Sequence, residues 1–161
     1  MAREVYQFHD REISWLSFNE RVLQEAEDPN VPLIERLKFL GIYSNNLDEF
    51  FRVRVPTVQR MIRFGKQAIP LLGFDPKKTL KEVYAKNKEL RARFEETYVN
   101  LKKELEEEKI FFLNEKQLSE HQREIVAKYF DSTVRPTLVP VMLTEERELP
   151  ELNGKAIYLA I

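Results

Sequence analysis

Cysteine is absent from the sequence. A disulfide framework and a thiolate metal site are therefore excluded, and the composition suits a reducing compartment. Glycine is scarce: four residues in 161, far apart. That spacing rules out a Gly-x-x-x-x-Gly-Lys phosphate loop and a Gly-x-Gly-x-x-Gly dinucleotide turn. Histidine occurs only as His9 and His121. Neither has a second ligand at metal spacing, so both read as ordinary surface residues, and no Ser/His/Asp arrangement can be argued. No apolar run approaches the ~18 residues that a membrane span needs. Met1 to Asp10 carries no apolar stretch of the signal-peptide kind, so the expected location is the cytoplasm. The formal net charge is −1. It exerts no global pull toward nucleic acid or membrane, and any electrostatic role must come from local clusters.

What is present is helical. The chain is 43% hydrophobic and 33% charged, the balance of a globular protein able to bury a core without staples. Ser14 to Glu27 reads as a first helix with Ser14 as its cap and an apolar face of Trp15, Phe18, Val22 and Ala26. Asp28-Pro29-Asn30 breaks it. A second helix runs from Pro32 to about Val53, with Leu33, Leu37, Leu40, Leu47 and Phe51 on one stripe and Phe39, Tyr43, Phe50 and Val53 on another. Pro56 should kink or end it, with Thr57 to Phe64 continuing as a further helical piece. After a loop from Gly65, Asp75-Pro76 is a strong start signal for a third helix that reaches Lys109, on the order of 50 Å long at the usual rise.

Beyond Lys109 the pattern changes. Ile110 to Leu113 and Ala156 to Ile161 suit strands, and Glu115 to about Thr133 suits a helix. Arg135 to Leu143, with Pro136 and Pro140, suits a sheet edge. The expected fold class is α+β. Residues 1–108 form an antiparallel bundle of three long helices, and residues 109–161 are the opening strands and helix of an α/β head domain, cut short inside an apolar strand.

Two features could carry chemistry. In Ser44-Asn45-Asn46-Leu47-Asp48-Glu49-Phe50, adjacent asparagines sit in mid-helix, where their amides compete for backbone hydrogen bonds. Asn46 falls on an otherwise apolar stripe. Its carboxamide offers a donor and an acceptor, which suits a purine edge or a ribose hydroxyl as well as a neighbouring helix's backbone. Asp48 and Glu49 are adjacent, so they point about 100° apart and cannot act as a paired acid and base. The second feature is a one-signed stretch, Arg52, Arg54, Arg60, Arg63 and Lys66, with no Asp or Glu between Phe50 and Phe74. It suits a polyanion, or a solvated face paired with the acidic helix end at Glu104 and Glu106 to Glu108.

The letters themselves point further. Arg11-Glu12-Ile13-Ser14-Trp15-Leu16-Ser17-Phe18-Asn19-Glu20-Arg21-Val22-Leu23-Gln24-Glu25-Ala26 resembles the opening of the polyphosphate kinase family. So does Pro32-Leu33-Ile34-Glu35-Arg36-Leu37-Lys38-Phe39-Leu40-Gly41-Ile42-Tyr43 with its continuation Ser44 to Arg54, long and nearly ungapped. Phe111-Phe112-Leu113-Asn114 and Arg135-Pro136-Thr137-Leu138-Val139-Pro140 look like that family's second domain more loosely. Between Gly65 and Glu108 the likeness is of helical pattern more than of letters.

The resemblance implies a helical N-terminal domain, a head domain used in dimerisation and two C-terminal domains. It implies reversible transfer of the terminal phosphate of ATP to inorganic polyphosphate through a phosphohistidine, with Mg2+ assisting and ADP as the acceptor in reverse. It places the phosphohistidine, the metal ligands and the polyphosphate path beyond Ile161, so no catalytic or metal-binding residue is assigned here. The family's nucleotide-contacting asparagine precedes Leu-Asp-Glu-Phe, which puts ATP on Asn46, with Phe39, Tyr43 or Phe50 as candidates to touch the adenine. The expected partners are ATP, polyphosphate, the remaining domains of the polypeptide and a second copy of the full-length chain. No nucleic-acid partner is expected, and a place peripheral to the inner membrane face is compatible with the family. Alone, the segment should be inactive and bind ATP only at about millimolar or worse. Without the resemblance, a helical interaction module would rank first and a phosphate-backbone binder built on the Arg52 to Lys66 stretch would compete with it.

Overall fold

The computed structural model describes residues 10–142, 152, 156–159 and 161, and His9 lies outside them. Two compact units divide the chain, Met1–Phe112 and Leu113–Ile161.

The first unit is built on α1 (Arg11–Glu27), α2 (Leu33–Glu49) and the 32-residue α5 (Pro76–Glu107). Asp10, rather than Ser14, caps α1: its Oδ1 accepts from the backbone N–H groups of Glu12 and Ile13. The helix thereby gains about one turn. The buried stripe of α1 is Glu12, Leu16, Asn19, Leu23 and Ala26. It lies one residue round from the expected face. Trp15 and Val22 are half-buried, and Phe18 is 59% exposed. The true stripe hides from a hydrophobicity pattern because Glu12 and Asn19 are polar members of it.

Leu23 and Ala26 of α1, Leu40 and Tyr43 of α2, and Leu90 and Leu101 of α5 form one core cluster. Leu16, Phe50, Val55 and Val83 form a second. Each fully buried leucine contributes roughly 1.5–3 kcal/mol relative to an exposed one. Trp15 stacks on Phe50 at 4.7 Å, and Tyr43 on Phe94 at 5.5 Å.

Pro56 neither ends the second helix nor kinks it in isolation. A π-helical segment, Phe50–Arg54, precedes α3 (Val55–Ile62), and the Val55 N–H bonds the Phe50 carbonyl five residues back. Proline supplies no N–H and crowds the carbonyl four residues behind it, so a widened turn relieves both conflicts. The Thr57 hydroxyl donates to the Val53 carbonyl, four residues back, at 2.8 Å. The buried positions show the extra residue: Phe50 is followed by Val55 and Val58, a step of five and then of three. A short 3-10 turn (Lys66–Ala68) and α4 (Ile69–Leu72) occupy the expected loop.

Asp75 caps α5 by accepting from the Lys77 N–H, with Pro76 in the first turn. The far end closes on Lys109, whose φ of 64° is left-handed. Its N–H bonds the Glu106 carbonyl at 3.1 Å and the Ile110 N–H bonds the Leu105 carbonyl at 2.8 Å. This is a Schellman ending with lysine where glycine is usual.

The second unit contains α6 (Glu120–Tyr129), a π segment (Phe130–Val134) and a 3-10 turn (Arg135–Thr137). A reciprocal Ser119–Gln122 capping box starts α6 later than the expected Glu115. The π segment again stands just before X-Pro: the Arg135 N–H bonds the Phe130 carbonyl ahead of Pro136.

The expected α+β class is overturned, because the described residues contain no strand. Ile110 to Leu113 is irregular, residues 135–137 are a 3-10 turn and 138–142 are irregular, while Leu143 lies outside the described residues. The described part of Ala156 to Ile161 is likewise without strand. A strand exists only through a ladder, and no described segment pairs with these apolar runs.

Candidate functional site

Asn46 sits on the α1-facing side of α2, half-buried, and its neighbour Asn45 is exposed. Its Nδ2 donates to Asn19 Oδ1 at 3.0 Å. Asn19, fully buried on α1, donates its own Nδ2 to the Tyr43 carbonyl at 3.1 Å. The two amides thus form a chain from the α2 backbone, through α1, back to α2. Asn19 carries no mark in the sequence beyond being a polar letter between Leu16 and Leu23; a helical face drawn through those two leucines would have found it.

Of the aromatic candidates beside Asn46, Tyr43 and Phe50 are each 1% exposed and belong to the core. Phe39 is half-buried and packs on the core's edge. One turn before Asn46 on α2 stands Ile42, nearly half exposed.

Open clefts flank the helices among the described residues, and Asn46 lines neither of the following two. One, about 840 Å³, runs along α1 past Ser14, Ser17, Phe18, Arg21 and Gln24. The other, about 440 Å³, lies between α2 and α5 against Leu47, Phe51, Phe94, Tyr43 and Asn87. The Tyr43 hydroxyl and Asn87 Oδ1 are buried there with no hydrogen-bond partner among the described residues. Burial pushes the Tyr43 phenol up to about 12.

The basic stretch divides. Arg52 is held by Asp48 and, at 3.7 Å, by Glu49. Arg54 is held by the buried Glu12. Among the described residues, Arg60, Arg63 and Lys66 make no ion pair and are exposed. The expected pairing with the acidic end of the third helix does not occur. Glu104 instead accepts from Arg36 at 2.7 Å. Two of the five cations are therefore already neutralised, which weakens a nucleic-acid reading of the stretch.

Elsewhere the charges join helices. Arg93 of α5 binds both oxygens of Glu27 at 3.1 and 2.7 Å and also Glu20 at 2.5 Å, while Lys86 reaches Glu20 at 2.6 Å. The Lys86 hydrogen bond, followed by Arg93, holds the Glu20 carboxyl below its ordinary value against a burial effect that opposes it. Glu27, and secondarily Glu20, hold the Arg93 guanidinium charged more firmly than usual. His121 is exposed on α6, and the described residues contain no group of three or more His, Cys, Asp or Glu side chains able to hold a metal. No helix of the described residues is long and apolar enough to cross a membrane.

Comparison with known proteins bears directly on the helical unit. Residues 8–113 match the family model described as the polyphosphate kinase N-terminal domain. A polyphosphate kinase of Vibrio vulnificus (strain YJ016) is 45% identical over 154 residues, 94% of this chain and 22% of that protein. One from Bacillus cereus is 43% identical over 155 residues, 95% of this chain and 22% of its own length. One from Yersinia pestis is 39% identical over 155 residues, again 22% of its length. The chain thus spans about a fifth of the length of these relatives. The match runs through both asparagines and the helices that hold them, and on it the chain belongs to the polyphosphate kinase family, as a segment containing that family's N-terminal domain.

Proposed function

We propose that this chain is the part of an ATP–polyphosphate phosphotransferase that supplies the base side of the nucleotide site, with Asn46 as the contact to ATP. The observation that carries the reading is the state of the Asn46 amide. It is anchored at one end by Asn19, and its Oδ1 has no partner among the described residues yet is not sealed from solvent. A carboxamide oxygen held in a fixed place and open to solvent can exchange a water for a ligand's donor without unmaking any bond inside the protein. The exposed Ile42, one turn before it on α2, offers apolar surface for one face of a purine.

The rest of the chemistry belongs to segments this chain does not contain. A phosphohistidine there would divide one hard transfer into two easier ones, and Mg2+ with cationic side chains would neutralise the moving phosphate. The role of this segment is positional: fixing the base aligns the phosphates with groups held elsewhere. By itself the segment should be inactive.

The test uses the full-length enzyme, parent and Asn46→Ala, assayed for ATP-dependent polyphosphate synthesis over a range of ATP concentrations. The expected result is a KM for ATP raised about tenfold, the equivalent of ~1.4 kcal/mol of lost binding, with kcat little changed. Equal KM values would assign Asn46 to structure alone. A folded parent that makes no polymer in either direction would remove the kinase reading.

A further inference from the structure

We infer that Asn19 is a positioning residue that fixes which way the Asn46 amide faces, and so makes the site read a 6-amino purine rather than a 6-oxo purine. This rests on the nucleotide role of Asn46 proposed above.

The inference follows from donor and acceptor polarity. An asparagine amide can usually be turned over, exchanging its oxygen and nitrogen. Here it cannot. The Tyr43 backbone carbonyl is an acceptor only, so the Asn19 atom 3.1 Å from it must be Nδ2. Asn19 Oδ1 is then the atom that faces Asn46, and across 3.0 Å Asn46 must answer with Nδ2. A backbone oxygen that cannot change its character thereby sets the polarity of a surface amide two hydrogen bonds away. The Asn19 end of the link is well protected, because Asn19 is 0% exposed and its bond to the Tyr43 carbonyl is buried.

With one Nδ2 hydrogen tied to α1, Asn46 keeps Oδ1 as its one free acceptor, with the second Nδ2–H as a donor beside it. That oxygen accepts from an exocyclic amine. Held in the same pose by its ribose and phosphates, a 6-oxo purine would set oxygen against oxygen. Turning the Asn46 amide to greet it would leave Asn46 Oδ1 facing Asn19 Oδ1, two acceptors with no proton between them. Sites built on a buried hydrogen-bonding group discriminate sharply because the wrong partner leaves that group unpaired.

The experiment compares kcat/KM for ATP and for inosine triphosphate in the full-length enzyme. The ratio of the two is independent of how much of a preparation is folded, so a purely structural defect does not move it. The parent should favour ATP at least about tenfold. Asn46→Ala should bring the ratio toward one. Asn19→Leu, which keeps the side-chain branching but removes the polarity lock, should also lower it about tenfold, because the freed amide can turn. Asn19→Asp should retain most of the preference: as a buried, neutral acid it donates to the Tyr43 carbonyl and still accepts from Asn46. If Asn19→Leu does not fold, Asn19→Ser, too short to bridge the helices, gives the same reading. A ratio lowered by Asn46→Ala but untouched by Asn19→Leu or Asn19→Ser would overturn the positioning role and leave the nucleotide contact standing. A ratio untouched by Asn46→Ala, or a parent without preference, would overturn the polarity reading, and the KM for ATP of Asn46→Ala then decides separately whether the nucleotide contact stands.

Discussion

Replacing Arg36 by leucine should destabilise the helical unit by about 1.5–4 kcal/mol. Helix α1 ends badly on its own terms. Its last turn has no basic residue and holds Glu25 and Glu27, the wrong sign for a helix C-terminus. Asn30, which would bond the Ala26 carbonyl in a continuing helix, turns its N–H to Asp28 Oδ1 instead. Arg36 repairs this from α2: its Nε donates to the Ala26 carbonyl at 2.9 Å, and its Nη1 donates to Glu104 of α5 at 2.7 Å. Leucine would keep the packing and lose both bonds. Stranding the buried carbonyl costs ~1–3 kcal/mol. The ion pair adds only about 0.5–1 kcal/mol, because Glu104 is 41% exposed and solvent screens it.

Urea denaturation followed by helical circular dichroism measures the cost of Arg36→Leu. Glu104→Gln isolates the ion pair and should cost no more than ~1 kcal/mol. The reasoning is refuted if Arg36→Leu costs under ~1 kcal/mol, or no more than Glu104→Gln, since the Ala26 carbonyl would then have found another partner.

The remaining predictions concern charge and backbone. The Glu20 carboxyl is depressed below its ordinary value of 4.5, chiefly by Lys86, so its contribution is present above that pH and lost as pH falls through the lower folded value. Glu20→Gln should flatten the fall in melting temperature between about pH 5 and 3; an unchanged slope would deny the pair its role. Lys109→Gly should raise stability by roughly 0.5–1 kcal/mol, because glycine takes the left-handed φ at this helix end without strain. A lower melting temperature would show that the lysine stem packs there to greater effect.

The helices were legible wherever punctuation and period agreed. Asp75-Pro76 announced α5, and Asp28-Pro29-Asn30 closed α1. The face of α1 was misjudged because Glu12 and Asn19 belong to the buried stripe, and a search for apolar letters passes over both. Asn46 stood out since an asparagine among leucines and aromatics in mid-helix needs a reason. Its partner Asn19 carries the same signal in α1, but on a face one residue round from the most apolar one, so the letters alone do not pair the two. Short apolar runs such as Ile110 to Leu113 fit a strand or an irregular segment equally, and only a partner to pair with decides. Lysine is no sign of a left-handed helix end, so the turn at Lys109 could not be read from its letter. Nor does a proline after a helix reveal that the turn before it has widened rather than stopped.

The widened turn at Phe50–Arg54 sets an angular phase. Each residue of a helix advances its side chain by about 100°, so a single surplus residue swings everything after it by that amount. Val55 and Val58 reach the core, and Arg54 reaches Glu12, only with the surplus in place. Deleting one residue between Phe50 and Val55 would leave the composition almost untouched. It would still rotate those valines outward and carry Arg60 and Arg63 to a different bearing from Asn46. The segment thus acts as a fixed offset between two faces of one nearly continuous rod, and its length, more than its letters, is what the fold depends on.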